Sequence, residues 1–291
     1  MIIMETGANK EQISRVVKEI ENRYRLRADV IKGAYRSVIG LVGDERKIQF
    51  DRLALFPGVK EVIRIEAPYK LVSREYSRFF EEKSGNRLIR VGNIEIGGDK
   101  PIFIAGPCAI ESREQIFETA EGVKKAGAHI LRAGVFKPRS SVHSFQGLGN
   151  EGLDKAKEAL EWLREAGRKF ELPVITEVRG ETQVDLVAEY VDILQIGSRN
   201  MYNQDLLIRV AKKGKPVLFK RHFGASIEEF LSLSEYIAAE GNKDIVLCER
   251  GITPVGKGKD YTRNNEGKSR KFFVVEETYL PIIVDPSHAT G

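Results

Sequence analysis

From residue 101 onward, short apolar runs alternate with longer amphipathic segments. Runs such as the one at 216–219 are typical of strands that are buried on both faces of a parallel sheet. The pattern predicts strands at 102–107, 129–136, 173–178, 192–197, 216–221, 244–249 and 280–285. It predicts helices between them at 112–126, 151–169, 181–190, 203–213 and 226–240. This alternation predicts an α/β fold, and eight such units would close a (β/α)8 barrel of the TIM type. Because the pattern supplies seven strands, we expect a barrel that is truncated after strand seven.

The first 66 residues follow a different pattern. Ile13, Val16, Val17 and Ile20 recur at helical spacing and predict a helix at 10–24. Strand-like runs and a second helical segment complete the order βαββαβ, with strands at 1–5, 26–31, 37–42 and 59–65 and the helix at 45–55. This order predicts a small ferredoxin-like domain before the barrel.

Residues 67–100 carry no long periodic segment. Apolar residues on either side of Gly92-Asn93 predict a hairpin at 88–96. We therefore expect three regions: a ferredoxin-like domain at 1–66, a linker with a hairpin cap at 67–100, and an incomplete barrel at 101–291. A segment at 252–275 is poorly specified and is expected to be a loop.

Composition excludes several classes of protein. The 291 residues have a net charge of +5, but Lys and Arg alternate with Asp and Glu, and no basic stripe with interleaved aromatic residues indicates a nucleic-acid binder. Two cysteines do not make a disulfide scaffold. The chain shows no signal peptide, and no stretch reaches the roughly 18 apolar residues of a membrane span. We expect a cytoplasmic protein that binds neither nucleic acid nor membrane.

Functional groups of a parallel barrel lie at the carboxyl ends of its strands. Those ends carry mostly cations, with a few carboxylates, one thiol and one imidazole: Cys108, Arg132, Lys137, Arg139, Glu177, Arg199, Lys220, Arg221, Glu249, Arg250 and His288. Arg and Lys in a dry pocket suit phosphate groups. In a chain this rich in Lys and Arg, however, such enrichment is weak evidence, so the prediction depends on the local motifs.

Six motifs follow the strand ends in chain order. They are Ile104-Ala105-Gly106-Pro107-Cys108, Arg132-Ala133-Gly134 with Lys137-Pro138-Arg139-Ser140, Gln195-Ile196-Gly197-Ser198-Arg199-Asn200, Lys220-Arg221, Cys248-Glu249-Arg250-Gly251, and Asp285-Pro286-Ser287-His288. In this order they resemble 3-deoxy-D-arabino-heptulosonate 7-phosphate (DAHP) synthase, the first enzyme of the shikimate pathway, over residues from about 68 to 291. The N-terminal unit resembles the ferredoxin-like regulatory domain of one branch of that family.

The resemblance implies a divalent metal. Cys108 and His288 match two of the four ligands of the family, and a thiolate with an imidazole suits Mn, Fe, Co or Zn. The other two ligands, a Glu and an Asp, would come after Gly291. We therefore expect weak metal binding and poor turnover from this chain.

The resemblance also implies how two substrates are held. Arg199, Lys220 and Arg250 match groups that bind phosphoenolpyruvate, while Arg132 and Glu177 line the same pocket. The Lys137-Pro138-Arg139-Ser140 segment matches the one that binds erythrose 4-phosphate, and Lys137 is the expected proton donor. Arg221 is expected either to contact substrate or to pair with a carboxylate. Cys248 is expected to pack in the core and His129 to have a structural role, whereas His143 and His222 are expected to lie on the surface or on the pocket wall.

Two other functions stay open. Ser141-Val142-His143-Ser144 favours the related synthase of 3-deoxy-manno-octulosonate 8-phosphate, which uses arabinose 5-phosphate, whereas Pro138-Arg139 and the N-terminal unit favour DAHP synthase. A non-catalytic sensor of aromatic amino acids is the alternative from another class. The resemblance further implies feedback by tyrosine or phenylalanine at the N-terminal domain, and a homo-oligomer, either a tetramer or a dimer.

Overall fold

The structure, a computed structural model, describes residues 1–32, 36–42, 48–63, 68–74, 86–139, 141–252 and 276–288. The chain divides into two compact units, Met1–Gly85 and Asn86–Gly291. Each unit has its own hydrophobic core, built around Ile2 and Ile20 in the first and around Ile130 and Ile175 in the second. The loop predicted at 252–275 lies outside the described residues, apart from Ile252.

The first unit has the predicted βαββαβ order. Its elements are β1 (Ile2–Met4), α1 (Lys10–Tyr24), β2 (Arg27–Lys32), β3 (Ser37–Val42), α2 (Phe50–Ala54) and β4 (Val59–Val62). The strands form one antiparallel sheet in the order β2-β3-β1-β4, which is the arrangement of a ferredoxin-like domain. The predicted second helix is shorter than expected, and residues 45–47 at its predicted start lie outside the described part.

Helix α1 shows why this local sequence folds as predicted. Asn9 Oδ1 accepts a hydrogen bond from the Gln12 amide at 2.9 Å, and Gln12 Oε1 accepts one from the Asn9 amide at 2.9 Å. This capping box satisfies amide groups that have no partner inside the helix. Val16 and Ile20 are buried in the core with Ile2 and Ile39, so the apolar stripe of the helix covers one face of the sheet.

The second unit begins with the predicted hairpin. Strands β5 (Ile89–Val91) and β6 (Ile94–Ile96) pair antiparallel around a turn in which Gly92 has a φ of 58°, a left-handed conformation that favours glycine. Ile89, Val91 and Ile96 pack against Ile130 and Ile193, which begin two strands of the larger sheet. The hairpin therefore covers the amino ends of those strands, and their carboxyl ends lie at the opposite end of the sheet.

The larger sheet has seven parallel strands in chain order. They are β7 (Ile104–Ala105), β8 (Ile130–Arg132), β9 (Val174–Val178), β10 (Ile193–Ile196), β11 (Val217–Lys220), β12 (Ile245–Glu249) and β13 (Ile282–Val284). The helices between them are α3 (Arg113–Lys125), α4 (Leu153–Lys169), α5 (Glu181–Tyr190), α6 (Gln204–Ala211) and α7 (Ile227–Ala239). All seven predicted strands and all five predicted helices are present, generally with shorter bounds. Within the described residues β7 and β13 pair with one neighbour each, so this sheet is an open, curled part of a (β/α) barrel.

None of the described helices combines the length and the apolar character that crossing a bilayer requires.

Candidate active site

A cavity of about 410 Å³ opens at the carboxyl ends of the parallel strands. Among its lining residues are predicted site residues from most of the strand ends: Cys108, Arg132, Lys137, Pro138, Arg139, Glu177, Arg199, Lys220, Arg250 and His288. Of the predicted site residues, only Arg221 and Ser140 are missing from this set. Ser140 lies outside the described residues. Because parallel strands bring their carboxyl ends to one edge, segments far apart in the chain meet here.

Arg250 is a buried cation of this cavity whose guanidinium is only partly satisfied by the described residues. Its side chain follows β12 and is buried, with 5% of the residue exposed. Nη1 donates to Ser198 Oγ at 3.5 Å, and the guanidinium lies 5.7 Å from the centre of the Phe223 ring. Nε and Nη2 have no hydrogen-bond partner among the described residues. A buried guanidinium in this state is a ready site for an anion, since burying unpaired charge is otherwise unfavourable.

Arg132, Gln195 and Glu177 form a network on the floor of the cavity. Arg132 Nε donates to Gln195 Oε1 at 3.2 Å, and Gln195 Nε2 donates to Glu177 Oε2 at 3.1 Å. Arg132 Nη2 itself is 3.9 Å from Glu177 Oε2. A Cβ on Gly197 would lie only 1.9 Å from Glu177 Oε1, so glycine at that position leaves room for the carboxylate.

Cys108 lies among three cations. Arg139 Nη2 donates to its sulfur at 3.6 Å, and Arg132 Nη1 donates to its backbone oxygen at 3.4 Å. Burial alone would raise the pKa of the Cys108 thiol, but the positive charges of Lys137, Arg139 and Arg132 outweigh it, and the pKa is lowered. Burial, and secondly the charge of Arg132, also lower the pKa of Lys137. The Cys108 thiol therefore ionises more readily than an ordinary cysteine, and the Lys137 ammonium releases its proton more readily than an ordinary lysine.

Lys220, Asp285 and His288 meet on the side of the cavity formed by β11 and β13. Lys220 forms a short ion pair with Asp285, whose Oδ2 is also 2.6 Å from His288 Nδ1. The pKa of Asp285 lies well below its ordinary range: burial opposes this shift, and hydrogen bonds and charge from His288 and Lys220 produce it. If Nδ1 carries the proton toward Asp285, Nε2 keeps the lone pair, which is how histidine ligands are commonly held.

The described residues fit a metal only in part. A lowered-pKa thiol and an imidazole oriented by a carboxylate are donors of the kind that Mn, Fe, Co and Zn accept. Within the described ranges, however, no group of three or more His, Cys, Asp and Glu side chains could hold a metal ion. A site built on Cys108 and His288 alone would have two donors, which is fewer than a stable protein site uses.

The segment after β8 is held in shape by Gln146. Its amide Nε2 donates to the backbone oxygens of Ser141 and Ser144 at 2.9 and 3.0 Å, and its Oε1 accepts from the Arg139 amide at 3.2 Å. Arg199 Nη1 donates to Pro138 O at 3.2 Å. The Lys137-Pro138-Arg139 run thus forms one wall of the cavity and is tied to the end of β10.

Of the two roles expected for Arg221, contact with substrate or pairing with a carboxylate, the structure shows the pairing and places Arg221 outside the cavity lining. Its guanidinium is buried outside the cavity lining, where Nε lies 2.7 Å from Glu249 Oε2 and Nη2 donates to Glu249 Oε1 at 2.9 Å. Nη1 donates to Ala225 O at 2.5 Å. Neighbouring strands β11 and β12 bring the two side chains together, and the carboxylate holds the arginine away from the cavity.

Other expectations about individual residues have clear outcomes. Cys248 is buried in the core, as predicted, and burial raises the pKa of its thiol to about 12. His129 accepts a hydrogen bond from the Phe103 amide at the start of β8, which is a structural role. His222 stacks edge-on against Tyr202 and is not among the cavity-lining side chains.

Sequence reasoning assigned no role to Gln195 or Phe223, which both line the cavity. Gln195 carries a usable signal, because it is the one polar residue in the buried strand Ile193–Ile196. A buried amide needs partners for its oxygen and its nitrogen, and such partners are often functional groups. Phe223 carries no such signal, since an aromatic residue after a strand is usually part of the core.

Two family descriptions match this chain by sequence. The DAHP synthetase I family matches residues 73–291, and the DAHP synthase ferredoxin-like domain matches residues 1–67. Phospho-2-dehydro-3-deoxyheptonate aldolase of Thermotoga maritima is 43% identical over 291 residues, covering 100% of this chain and 81% of that protein. The 2-dehydro-3-deoxyphosphooctonate aldolase of Francisella tularensis is 31% identical over 209 residues, covering 69% of this chain and 71% of that protein.

Solved structures agree with these sequence matches. The crystal structure of the Thermotoga maritima aldolase superimposes with a TM-score of 0.68 at 41% identity, covering 99% of this chain and 79% of that one. A truncated form of the 3-deoxy-D-arabino-heptulosonate 7-phosphate synthase from the same organism gives a TM-score of 0.64 at 42% identity, covering 77% and 76%. The likeness therefore extends over both units of the chain.

Proposed function

The chain belongs to the DAHP synthetase I family, and we propose from this that it condenses phosphoenolpyruvate with erythrose 4-phosphate. The products are DAHP and inorganic phosphate, and the reaction is the first step of the shikimate pathway, which leads to the aromatic amino acids. The observation that carries the proposal is the buried guanidinium of Arg250, which has two unpartnered nitrogens among the described residues and faces a cavity lined by further cations. Such a cavity suits two phosphorylated substrates.

We assign phosphoenolpyruvate to the inner wall. Arg199, Lys220 and Arg250 would bind its phosphate and carboxylate, and Arg132 adds a charge that Gln195 holds in place. Erythrose 4-phosphate would bind at Lys137-Pro138-Arg139-Ser140, of which the three described residues also line the cavity. The two anions would then lie next to each other, which places the enol carbon near the aldehyde and lowers the entropic part of the barrier.

The chemistry needs one carbon–carbon bond and one proton donor. The C3 carbon of phosphoenolpyruvate attacks the aldehyde carbon, and the aldehyde oxygen takes a proton from the Lys137 ammonium. Water then adds to C2 and loses one proton, which returns the Lys137 amine to its ammonium form. The C2–O bond to phosphate then breaks, the remaining C2 hydroxyl becomes the ketone, and its proton leaves with the inorganic phosphate. Burial and the charge of Arg132 lower the pKa of Lys137, so its proton is easier to transfer near neutral pH than that of an ordinary lysine.

Enzymes of this family generally depend on a divalent metal, and we propose Cys108 and His288 as this chain's contribution to its site. The lowered pKa of Cys108 and the contact between Asp285 and His288 Nδ1 support this assignment. A metal bound there, whether Mn, Fe, Co or Zn, would supply Lewis-acid polarisation of the aldehyde.

Phosphate release tests the proposed substrates. The chain is incubated with phosphoenolpyruvate, manganese and either erythrose 4-phosphate or arabinose 5-phosphate. We expect slow release with erythrose 4-phosphate and still less with the pentose, because the Francisella tularensis octulosonate relative matches at 31% identity over 69% of the chain, against 43% over 100% for the heptonate relative. Faster release with arabinose 5-phosphate would support the octulosonate synthase instead. No release with either aldose, combined with no binding of phosphoenolpyruvate in calorimetry, would contradict both assignments.

The N-terminal unit is a ferredoxin-like regulatory domain by its family match. We propose tyrosine or phenylalanine as its ligand, a homo-oligomer of two or four chains as the assembly, and the cytoplasm as the location. Calorimetry with each amino acid tests the ligand. Heat of binding combined with phosphate release supports a regulated enzyme, whereas heat without release supports the sensor alternative. Light scattering tests the assembly.

A further inference from the structure

Gln195 stands between two opposite charges that would otherwise meet. It is 3% exposed, and its side-chain amide bridges Arg132 and Glu177 with hydrogen bonds of 3.2 and 3.1 Å. The opposite orientation of the amide would point its NH2 at the guanidinium and its oxygen at the carboxylate, so the two neighbours determine the orientation.

The strand register places Gln195 directly in this position. Gln195 and Glu177 are paired residues on neighbouring strands β10 and β9, so their side chains leave the sheet on the same face. Arg132 ends β8, one strand further along, and reaches across β9 to the amide oxygen. Arg132 Nη2 and Glu177 Oε2 are 3.9 Å apart, which makes a long ion pair without a direct hydrogen bond.

Without the amide, nothing else in the network keeps the two charges apart. Glu177 is nearly buried, with 7% of its side chain exposed, and losing its donor leaves a carboxylate that attracts the nearest guanidinium. Arg132 would then turn toward Glu177 and away from Cys108 O, to which its Nη1 now donates, and a closer ion pair would neutralise part of its charge. The cavity would lose part of one positive charge.

We propose that Gln195 is a positioning residue that keeps the Arg132 guanidinium directed into the anion-binding cavity by holding it apart from Glu177. The inference rests on the proposed function, because it takes the anion to be phosphoenolpyruvate. Gln195 itself does not donate to the substrate. It acts through Arg132, and Gly197 supports it by leaving room for the Glu177 carboxylate.

A double-mutant cycle tests this role. The dissociation constant of phosphoenolpyruvate is measured by calorimetry for the unchanged chain, Gln195→Met, Glu177→Gln and the double variant. Gln195→Met should weaken binding about tenfold, the scale of one charged hydrogen bond. In the Glu177→Gln background, the same substitution should change binding by less than about twofold, because the competing charge is gone. Losses that add in the double variant, or no loss in Gln195→Met, would overturn the proposal.

A control variant separates positioning of Arg132 from loss of a hydrogen-bonded glutamine in general. Gln183→Met removes a half-buried glutamine that accepts a hydrogen bond from the Arg179 amide at 3.0 Å and lies outside the cavity lining. It should leave binding of phosphoenolpyruvate unchanged, and a tenfold loss here would overturn the specific role of Gln195. If the unchanged chain fails to bind phosphoenolpyruvate, the proposed function fails with it. If the unchanged chain binds and the cycle is additive, only the role of Gln195 fails.

Discussion

Breaking the buried pair of Arg221 and Glu249 should destabilise the barrel strongly. The two side chains are 1% and 2% exposed, and Arg221 contacts the carboxylate at 2.7 and 2.9 Å and Ala225 O at 2.5 Å. In Arg221→Met, Glu249 keeps its charge in the core with only the Gly251 amide as a donor, at 2.6 Å, among the described contacts. Leaving one charge of a buried pair uncompensated costs about 3–5 kcal/mol.

The size of the effect can be converted into a melting temperature. In a domain of about 150–250 residues, each 1 kcal/mol lowers the midpoint by about 2–4 °C. The unit Asn86–Gly291 falls in this range, so Arg221→Met should lower its melting temperature by about 6–20 °C. Circular dichroism of the whole chain during heating measures the shift.

Two further variants identify the cause. Arg90→Met breaks an exposed pair with Glu95 at 3.3 Å, and such a pair contributes at most about 1 kcal/mol, so the shift should be small. Arg221→Met combined with Glu249→Leu removes both charges and should recover more than half of the lost stability. The reasoning is refuted if Arg221→Met shifts the melting temperature no more than Arg90→Met, or if the double variant is less stable than the single one.

Three further predictions concern the cavity. Arg250→Met should weaken binding of phosphoenolpyruvate about a hundredfold or more in calorimetry, because two charged hydrogen bonds to the ligand are lost. The same variant should not lower the melting temperature, since it removes a buried and partly unpartnered cation. Activity should fall as pH rises through the lowered pKa of Lys137, because the protonated amine is the proton donor. In a profile of kcat/KM against pH, the basic limb should lie below the ordinary lysine pKa of 10.5, and Lys137→Arg should move this limb to higher pH. Iodoacetamide at pH 8 should alkylate Cys108 and spare Cys248, whose pKa is about 12, and Lys137→Met should slow the alkylation of Cys108 by raising the pKa of its thiol. Equal alkylation rates at the two thiols, measured by mass spectrometry, would contradict the lowered pKa of Cys108.

Much of the fold follows from local pattern. Strands such as Val217–Lys220 are short apolar runs between amphipathic segments, and this alternation is a property of neighbouring residues that a parallel sheet with covering helices requires. The hairpin at Ile89–Ile96 is equally local, because the left-handed Gly92 makes its turn. These elements were predictable because hydrogen bonds within a few residues and the burial of one face determine them.

The composition of the site was also largely predictable, through motifs at strand ends. Cys108 and His288, 180 residues apart by subtraction of their numbers, line one cavity because a parallel sheet collects its carboxyl ends at one edge. The sequence therefore determined which segments form the cavity and that cations dominate it.

Tertiary structure alone decided what each cation does. Arg221 and Arg250 both follow a strand end, yet one is paired with Glu249 in the core and the other faces the cavity with unpartnered nitrogens. The register that pairs Lys220 with Cys248 sets Arg221 beside Glu249, which is 28 residues away in the chain. Gln195 depends in the same way on charges carried by two other strands. Whether a cation pairs with a carboxylate or faces the cavity depends on its distance from charged groups on other strands. No short stretch of sequence specifies that distance.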